Sequence, residues 1–353
     1  GGALAYSTSK ARAAPSLEEM IARKLDGADF GGTVLVAHGG EVLLRRGYGP
    51  ADRAFGVPCA PDTAYRIASI TKLFAAVLVM RLRDRGRIDL DAPIATYLPD
   101  YRGPAATKAS IRHLLNHTSG IANFDKVGSY KEAARHGLPN YQLPHTPREL
   151  MDRFASGELV HEPGRSFDYN NADYVILGQV LEAVEGAPFE RILSREILAP
   201  LGLKATGMAN RPRIIPRLAP SYFKDDDAPL ANELPHYAEN WYAAGGMYST
   251  VDDLAAFADA LYGGRLLKPD GLATMLAPGL DEYGFGQWVA SQDVDGRARR
   301  FAHRPGRIMG ANTLLLRFLD DDLTVIILAN TNLVDTDDLG FSIARHVLSP
   351  DAA

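Results

Sequence analysis

Strand-like apolar runs near both ends of the chain, with helical patterns between them, constrain the fold most strongly. Near the N-terminus, residues 32–37 and 41–46 flank Gly39-Gly40, a pair that favours a hairpin. Toward the C-terminus, four further apolar runs follow one another, at residues 284–290, 299–303, 312–318 and 323–329. The simplest packing is one antiparallel sheet built from both chain ends, with a mostly helical lobe inserted between them. The predicted class is therefore α/β of the α+β kind.

The same pattern predicts how the chain is organised. Helices expected at residues 16–26 and 335–348 would flank the sheet. We expect a single domain over residues 16–350, with a sheet lobe at 16–75 and 245–350 and a helical lobe at 76–244. Two stretches with weak periodicity and many turn-forming residues, 123–146 and 209–240, are interpreted as surface loops. A functional site would lie between the lobes, where pockets are common.

Composition excludes several classes of function. The 353 residues are 46% hydrophobic and carry a net charge of −5, so no overall basic field suggests nucleic acid. No run of 18 apolar residues predicts a membrane span, and the N-terminus lacks the apolar core of a signal peptide. A cytoplasmic protein and a mature periplasmic or secreted one both stay open. The single cysteine, Cys59, excludes an internal disulfide and a cysteine metal cluster.

The pattern S-x-x-K at Ser69 and Lys72 is the first candidate for chemistry. Residues three apart on a helix share a face, and a neighbouring amine of lowered pKa can take the proton of a serine hydroxyl. The pattern also occurs at residues 7–10 and 221–224, but only Ser69 precedes a long apolar helical run, which ends near Gly86. The alternative is that Ser69 is a helix cap and Lys72 a solvated charge.

Two later segments offer partners for this pair. In the polar loop before a predicted helix, Tyr169 could share a proton with Lys72 and the leaving group, and Asn171 could hydrogen-bond a substrate amide or carbonyl. Alternatively, Tyr169 is a packed aromatic residue and Asn171 a helix N-cap. Near the C-terminus, His303 could contact substrate, and a strand edge beside it could donate a backbone N–H to an oxyanion together with the Ser69 N–H. The alternative there is a surface histidine.

Taken in order, these segments resemble the serine beta-lactamase and penicillin-binding-protein superfamily, particularly its branch of class C beta-lactamases, DD-peptidases, D-aminopeptidases and related carboxylesterases. The family has S-x-x-K, then Y-x-N, then K-T-G or H-x-G. The corresponding segments here are Ser69-Ile70-Thr71-Lys72, Tyr169-Asn170-Asn171 and His303-Arg304-Pro305. Further similar segments lie at residues 111–120, 163–169, 174–178, 244–250 and 283–286.

The resemblance implies a role for each matching residue. Ser69 would be the acylated nucleophile, Lys72 and Tyr169 would move its proton, and Asn171 would contact substrate. His303 would replace the lysine of K-T-G, which leaves Pro305 where the family has glycine. The second oxyanion donor would then be the N–H of Gly306, or that of Arg307 if the strand bulges by one residue.

We hypothesise a serine hydrolase without metal or other cofactor that forms an acyl-Ser69 intermediate on an ester or amide carbonyl. Carboxylester hydrolysis is the first choice, because many relatives outside the true lactamases and peptidases catalyse it. A D-amino-acid peptidase or DD-carboxypeptidase, a weak beta-lactamase and a catalytically poor penicillin-binding or sensor module are the alternatives. The expected partner is a small ester, peptide or beta-lactam. The helical spacing of His113 and His117 could bind zinc, but no third ligand is evident, which favours a structural role.

Overall fold

The computed structural model describes residues 15–125 and 130–349 of the chain. Its helices are α1 (Leu17–Leu25), α2 (Thr71–Asp84), α3 (Ala105–Lys108), α4 (Ile111–Leu115), α5 (Tyr130–His136), α6 (Pro139–Gln142), α7 (Pro147–Phe154), α8 (Asn171–Glu185), α9 (Phe189–Leu193), α10 (Ala199–Leu201), α11 (Tyr242–Gly245), α12 (Val251–Tyr262), α13 (Pro269–Met275) and α14 (Thr336–Leu348). Its strands are β1 (Gly32–His38), β2 (Glu41–Tyr48), β3 (Pro50–Asp52), β4 (Val57–Pro58), β5 (Tyr65–Arg66), β6 (Gly207–Met208), β7 (Tyr222–Phe223), β8 (Ala231–Asn232), β9 (Met247–Ser249), β10 (Trp288–Val294), β11 (Arg297–Ile308), β12 (Ala311–Phe318) and β13 (Leu323–Ala329).

One six-stranded antiparallel sheet, in the order β10-β11-β12-β13-β1-β2, joins the two ends of the chain. The N-terminal hairpin attaches through β1 to β13, with Gly32 opposite Ala329 and His38 opposite Leu323. The predicted fold class is therefore confirmed. The division into a sheet lobe and a helical lobe at residues 76 and 245 stays a prediction.

Helices cover both faces of this sheet. Ile21 of α1 and Ile343 of α14 pack with Val34 and Ile327 on one face, whereas Leu35 and Ile326 face the larger core formed with α2, α8 and α12. Because β12 and β13 are buried on both faces, their sequences are nearly continuous apolar runs rather than alternating ones. Helix α1 begins with a capping box, in which Ser16 and Glu19 cap each other reciprocally.

Helix α2 is the element that holds Ser69 in place. A short 3₁₀ turn at Ala68–Ile70 runs directly into α2, whose residues from Thr71 to Met80 are all buried. This turn packs against Gly306 of β11, and Thr313 Oγ1 of β12 donates to the Ile67 carbonyl at 3.0 Å. The start of a rigid, buried helix is therefore fixed against the sheet edge.

Two predicted surface loops are wrong in part. The stretch 123–146 contains α5 and α6, and its residues Leu138 and Tyr141 are buried against Trp241. The stretch 209–240 contains the small β7–β8 pair. In both stretches short polar elements are stabilised by contacts with distant parts of the chain, which local periodicity does not record. The alternative pattern at Ser7 lies outside the described residues.

Among residues 15–125 and 130–349, no helix is both long enough and apolar enough to cross a membrane.

Candidate active site

Ser69 lies at the mouth of a small pocket, on a strained stretch of backbone. The preceding residue, Ala68, has a φ of +48°, a left-handed conformation that non-glycine residues seldom adopt. Such strain persists only where the surroundings enforce it, and here Ile67 N donates to Met247 O at 3.0 Å while Gly306 presses against the turn. The Ser69 hydroxyl is therefore directed by its neighbours into the pocket rather than into solvent.

Lys72 is fully buried beneath Ser69. Its Nζ atom lies 3.0 Å from Ser69 Oγ, 2.6 Å from Asn171 Oδ1 and 2.8 Å from the carbonyl oxygen of Ala244. Burial lowers the pKa of Lys72, although the nearby Tyr169 opposes this effect. An amine with a lowered pKa can exist in the neutral form that accepts a proton.

Tyr169 completes a triangle with these two side chains. Its hydroxyl donates to Ser69 Oγ at 2.8 Å, and its ring centroid lies 4.9 Å from Lys72 Nζ. Burial alone would raise the pKa of Tyr169, but the positive charges of Arg304 and Lys72 outweigh it and lower the pKa to about 8. The structure thus brings Ser69, Lys72 and Tyr169 together.

Asn171 also contacts this cluster, because its amide oxygen Oδ1 accepts from Lys72 Nζ. It is the first residue of α8, whereas its neighbour Asn170 is the N-cap and accepts from Asp173 N at 2.9 Å. The alternative interpretation of Asn171 as the N-cap is therefore wrong by one residue. Its predicted contact with substrate stays a prediction.

Arg304, not His303, is the buried cation of β11 that faces the pocket. The Arg304 guanidinium is 2% exposed, with Nη1 2.9 Å from the Tyr283 hydroxyl and Nη2 3.4 Å from the Tyr169 hydroxyl. Its remaining donors face the carbonyl oxygens of Gly286 and Pro305, at 3.3 and 2.9 Å. Arg304 is therefore held among aromatic rings and carbonyls, with its charge next to Tyr169.

His303 lies on the opposite face of β11. Its Nε2 is 3.1 Å from Asp337 Oδ1 of α14, and its ring centroid is 5.6 Å from that of Phe341. Side chains alternate across a strand, so His303 and Arg304 cannot both face Ser69. The structure does not bring His303 to the pocket, and the third motif shifts by one residue to Arg304-Pro305-Gly306. Strand alternation, with buried Ala302 two residues before Arg304, is the signal that could have revealed this.

Gly306 lies directly against the Ser69 turn. A Cβ atom added there would be 2.9 Å from Ser69 N, 2.7 Å from Ile67 O and 2.6 Å from Thr313 Oγ1. Only glycine allows so close an approach of two backbones. In the shifted motif Arg304-Pro305-Gly306, glycine again stands at the third position. The pairing of β11 with β12 keeps one register through Gly306, so the strand does not have the bulge that was considered as an alternative.

The resulting pocket has a volume of about 170 Å³. It is lined by Ser69, Tyr169, Trp288, Arg304, Pro305, Gly306 and Arg307. Trp288 stacks on Tyr169, with ring centroids 5.8 Å apart and planes 17° apart. The sequence prediction missed Trp288, which no local pattern marks, and Arg304, which only the alternation of β11 could have revealed.

The two histidines considered for zinc have separate partners. His117 Nδ1 is 2.8 Å from Asp173 Oδ2, both side chains being fully buried, whereas His113 Nδ1 accepts from Ser110 N at 3.1 Å at the start of α4. The contacts of His117 join the 117–120 segment to α8 just behind Tyr169. These contacts support the structural role that was favoured for both residues.

The sequence matches the Beta-lactamase family over residues 17–347, and the chain belongs to this family. Members of the family are serine hydrolases, and its relatives include esterases, D-amino acid amidases and proteins resembling penicillin-binding proteins.

Two curated relatives and one solved structure illustrate the range of activities named for proteins similar to this chain. A penicillin-binding protein, PbpX, of Bacillus subtilis (strain 168) is 26% identical, with 77% of this chain matched to 65% of that protein. Esterase EstB of Burkholderia gladioli is 35% identical over 190 residues, which are 51% of this chain and 47% of the esterase. The chain thus spans between about half and two thirds of these curated relatives. The crystal structure of a D-stereospecific amidohydrolase from Streptomyces sp. is 26% identical, with a TM-score of 0.80 and 95% and 98% of the two chains covered.

The contact between Gly306 and the Ser69 turn leads to a prediction. We expect Gly306→Ala to slow acylation of Ser69 about tenfold or more, because the added methyl group must displace the Ser69 backbone. The rate of labelling by a fluorophosphonate, read as intact mass against time, measures this. Gly157→Ala is the matched control, since a Cβ there meets no atom within 4 Å. Equal labelling rates for the two variants would contradict the proposed contact.

Proposed function

We propose that the protein is a serine hydrolase that cleaves carboxylic esters through an acyl-Ser69 intermediate. The observation that carries this proposal is the triangle of Ser69, Lys72 and Tyr169, in which one hydroxyl lies within hydrogen-bond distance of an amine and a phenol. Both of these groups have lowered pKa values, so one of them can accept a proton near neutral pH.

In the acylation step, the Ser69 proton passes to the neutral Lys72 amine or the Tyr169 phenolate as Oγ bonds to the substrate carbonyl carbon. The carbonyl π electrons move to oxygen and give a tetrahedral oxyanion. When the carbonyl re-forms, the bond to the leaving oxygen breaks, and that oxygen takes the proton and departs as an alcohol. Tyr169 is the better placed donor, because it lies on the pocket wall next to Trp288.

In the deacylation step, water replaces the alcohol. The same base takes a proton from water, whose oxygen bonds to the acyl carbon. Collapse of the second oxyanion breaks the bond to Ser69 Oγ, which regains a proton, and a carboxylic acid leaves. Every group is then in its starting state, so the proposed cycle requires no metal or other cofactor.

The second oxyanion donor is assigned from the geometry of β11. Strand β10 pairs with β11 only as far as Trp288 opposite His303, so residues 304–308 have a free edge toward the Ser69 turn. Alternate residues of an antiparallel strand direct their N–H groups to the same side. Pro305 lacks an N–H, so its nitrogen is best tolerated facing this free edge. Arg307, two residues later, then directs its N–H to the same free edge, toward the Ser69 turn. This favours Arg307 over Gly306 as the partner of the Ser69 N–H.

The lining of the pocket favours a neutral ester. Arg304 is buried and its donors face protein oxygens, and Pro305 offers neither an N–H nor a hydroxyl to a substrate carboxylate. Trp288 and Tyr169 instead provide aromatic walls. The similarity to Esterase EstB supports the same substrate class.

Hydrolysis of D-amino acid amides or peptides is the second candidate. The likeness to the D-stereospecific amidohydrolase extends over nearly the whole of both chains. In addition, Arg307 lines the pocket with a side chain that is 62% exposed and lies 3.2 Å from Asp337 Oδ2, and a cation that exchanged this exposed partner could bind a terminal carboxylate of a peptide or a beta-lactam.

A substrate panel tests the proposal directly. We expect turnover of a short-chain p-nitrophenyl ester that exceeds turnover of a D-alanyl-p-nitroanilide and of a chromogenic cephalosporin. Ser69→Ala should lower ester turnover about a thousandfold or more, because the nucleophile is lost. Ser342→Ala, on α14 away from the pocket, serves as the control. Preference for the anilide would favour the second candidate, and stable acylation by the cephalosporin without turnover would indicate a penicillin-binding module. Equal ester turnover by Ser69→Ala and wild type would refute the mechanism.

The pKa of Tyr169 predicts a pH dependence. Both candidate bases, the Tyr169 phenolate and the neutral Lys72 amine, accept a proton only in the deprotonated form, so kcat/KM for the ester should fall at low pH; where Tyr169 is the base, the fall should begin below about 8. In Arg304→Met the charge that lowers this pKa is removed, so the midpoint should move to higher pH, whereas Arg304→Lys should keep it near its wild-type position. A midpoint that is the same in wild type and Arg304→Met would show that Arg304 does not set the ionisation of the base.

A further inference from the structure

Asp125 lies directly behind Asn171, in a stretch that the sequence predicted to be a surface loop. One carboxylate oxygen, Oδ2, accepts from Asn171 Nδ2, and the other, Oδ1, accepts from the hydroxyl of Tyr141. Asn140 Nδ2 is a weaker neighbour, at 3.4 Å from Oδ1. Asn171 and Tyr141 thus hold the Asp125 carboxylate from two sides, and Asn171 also contacts the amine of Lys72.

The carboxylate determines which way the Asn171 amide faces. A carboxylate only accepts hydrogen bonds, so it requires the NH₂ end of Asn171 on its side. The carbonyl end, Oδ1, must then face Lys72, and it lies 2.6 Å from Nζ. If the amide were reversed, its NH₂ group would meet the amine, and its carbonyl oxygen would meet the carboxylate.

This orientation matters because Lys72 must function in two protonation states. A neutral amine has two N–H donors and one lone pair. Asn171 Oδ1 and Ala244 O accept the two donors, and the lone pair is left for the Ser69 hydroxyl. After protonation the third N–H points to Ser69 Oγ, and no partner has to move.

We propose that Asp125 is a positioning residue, which fixes the Asn171 amide so that the lone pair of Lys72 is directed at Ser69. The inference rests on the proposed function, because it assigns Asp125 a task only if Lys72 takes part in acylation of Ser69. Asp125 is not proposed to touch substrate or the reacting atoms. Its effect is exerted through Asn171 and through its negative charge.

Asp125 itself is held by a rigid partner. The Tyr141 ring stacks on Trp241, with centroids 3.8 Å apart and planes 7° apart. Asn240, one residue before Trp241, donates to the carbonyl oxygens of Asn140 and Leu143 at 2.9 and 2.7 Å. The segment that carries Tyr141 is therefore attached to residues 238–241, and the position of the carboxylate does not depend on its own flexible side chain alone.

The charge of Asp125 adds a second, measurable effect. Besides Asp125, the titratable and charged groups that interact with Lys72 are Tyr169, Tyr174, His117, Asp173 and Arg304. Arg304 lowers the pKa of Lys72, whereas the Asp125 carboxylate raises it. Removing the carboxylate should therefore ease deprotonation of the base and shift its titration to lower pH.

The test measures the rate at which a fluorophosphonate labels Ser69 between pH 5 and 10, by intact mass. Asp125→Asn keeps an oxygen for Asn171 but loses the charge, so we expect the midpoint of the rising limb to move about half a unit to one unit to lower pH. Asp125→Ala also releases the Asn171 amide, so we expect the plateau rate of Asp125→Ala to fall about tenfold or more. Asp125→Asn should keep most of the wild-type plateau rate. A melting curve for each variant establishes that it is folded.

Asp152→Asn is the matched control, because that acid forms an exposed pair with Arg148 on α7. It should leave both the midpoint and the plateau unchanged. If neither Asp125 variant differs from wild type, or if both lose rate equally at every pH without a change of midpoint, the positioning role is refuted while the proposed function stands. If wild type is not labelled at Ser69 at any pH, both proposals fail.

Discussion

The amine of Lys72, buried without any exposed surface, is the constraint on which the rest of the site depends. An isolated ammonium in a protein interior costs several kcal/mol, so such a group survives only with partners or with a lowered pKa. Here both conditions hold, because two carbonyl oxygens and a serine hydroxyl surround the amine, and burial lowers its pKa. The partners come from three separate parts of the chain: the Ser69 turn, the start of α8 and α11. Packing of these three helical segments against one another is thus what surrounds the amine with acceptors.

A second cation next to this amine would be unfavourable without compensation. Arg304 is placed so that its charge meets the hydroxyls of Tyr283 and Tyr169 and two backbone carbonyls. The guanidinium stays protonated at any pH the protein would meet, so it cannot move protons itself. Its effect is exerted through Tyr169, whose pKa it lowers together with Lys72. Gly306, two residues on, lets the same strand approach the Ser69 turn closely.

Much of this arrangement could be predicted from the sequence. The fold class followed from strand runs at both chain ends, and the pairing of Ser69 with Lys72 followed from helical spacing. Tyr169 and Asn171 lie about a hundred residues from them, and only the order of motifs connected the two segments. The third motif was misplaced by one residue because residue types suggested His303, whereas the alternation of β11 directs Arg304 inward.

Other parts could not be read from local pattern. Asp125 lies in a stretch without clear periodicity, and its role arises from contacts with Asn171 and with Tyr141, which is itself fixed by stacking on Trp241. Such contacts join residues separated by tens of positions, so neither composition nor spacing records them.

The buried Lys72 amine is proposed to activate Ser69, and replacing Lys72 with methionine removes that amine alone. Methionine fills a similar volume without an amine, so the fold should be kept. We expect Lys72→Met to melt near the wild-type temperature, while labelling of Ser69 by a fluorophosphonate slows by about a hundredfold or more. Labelling at the wild-type rate by a folded Lys72→Met variant would contradict it.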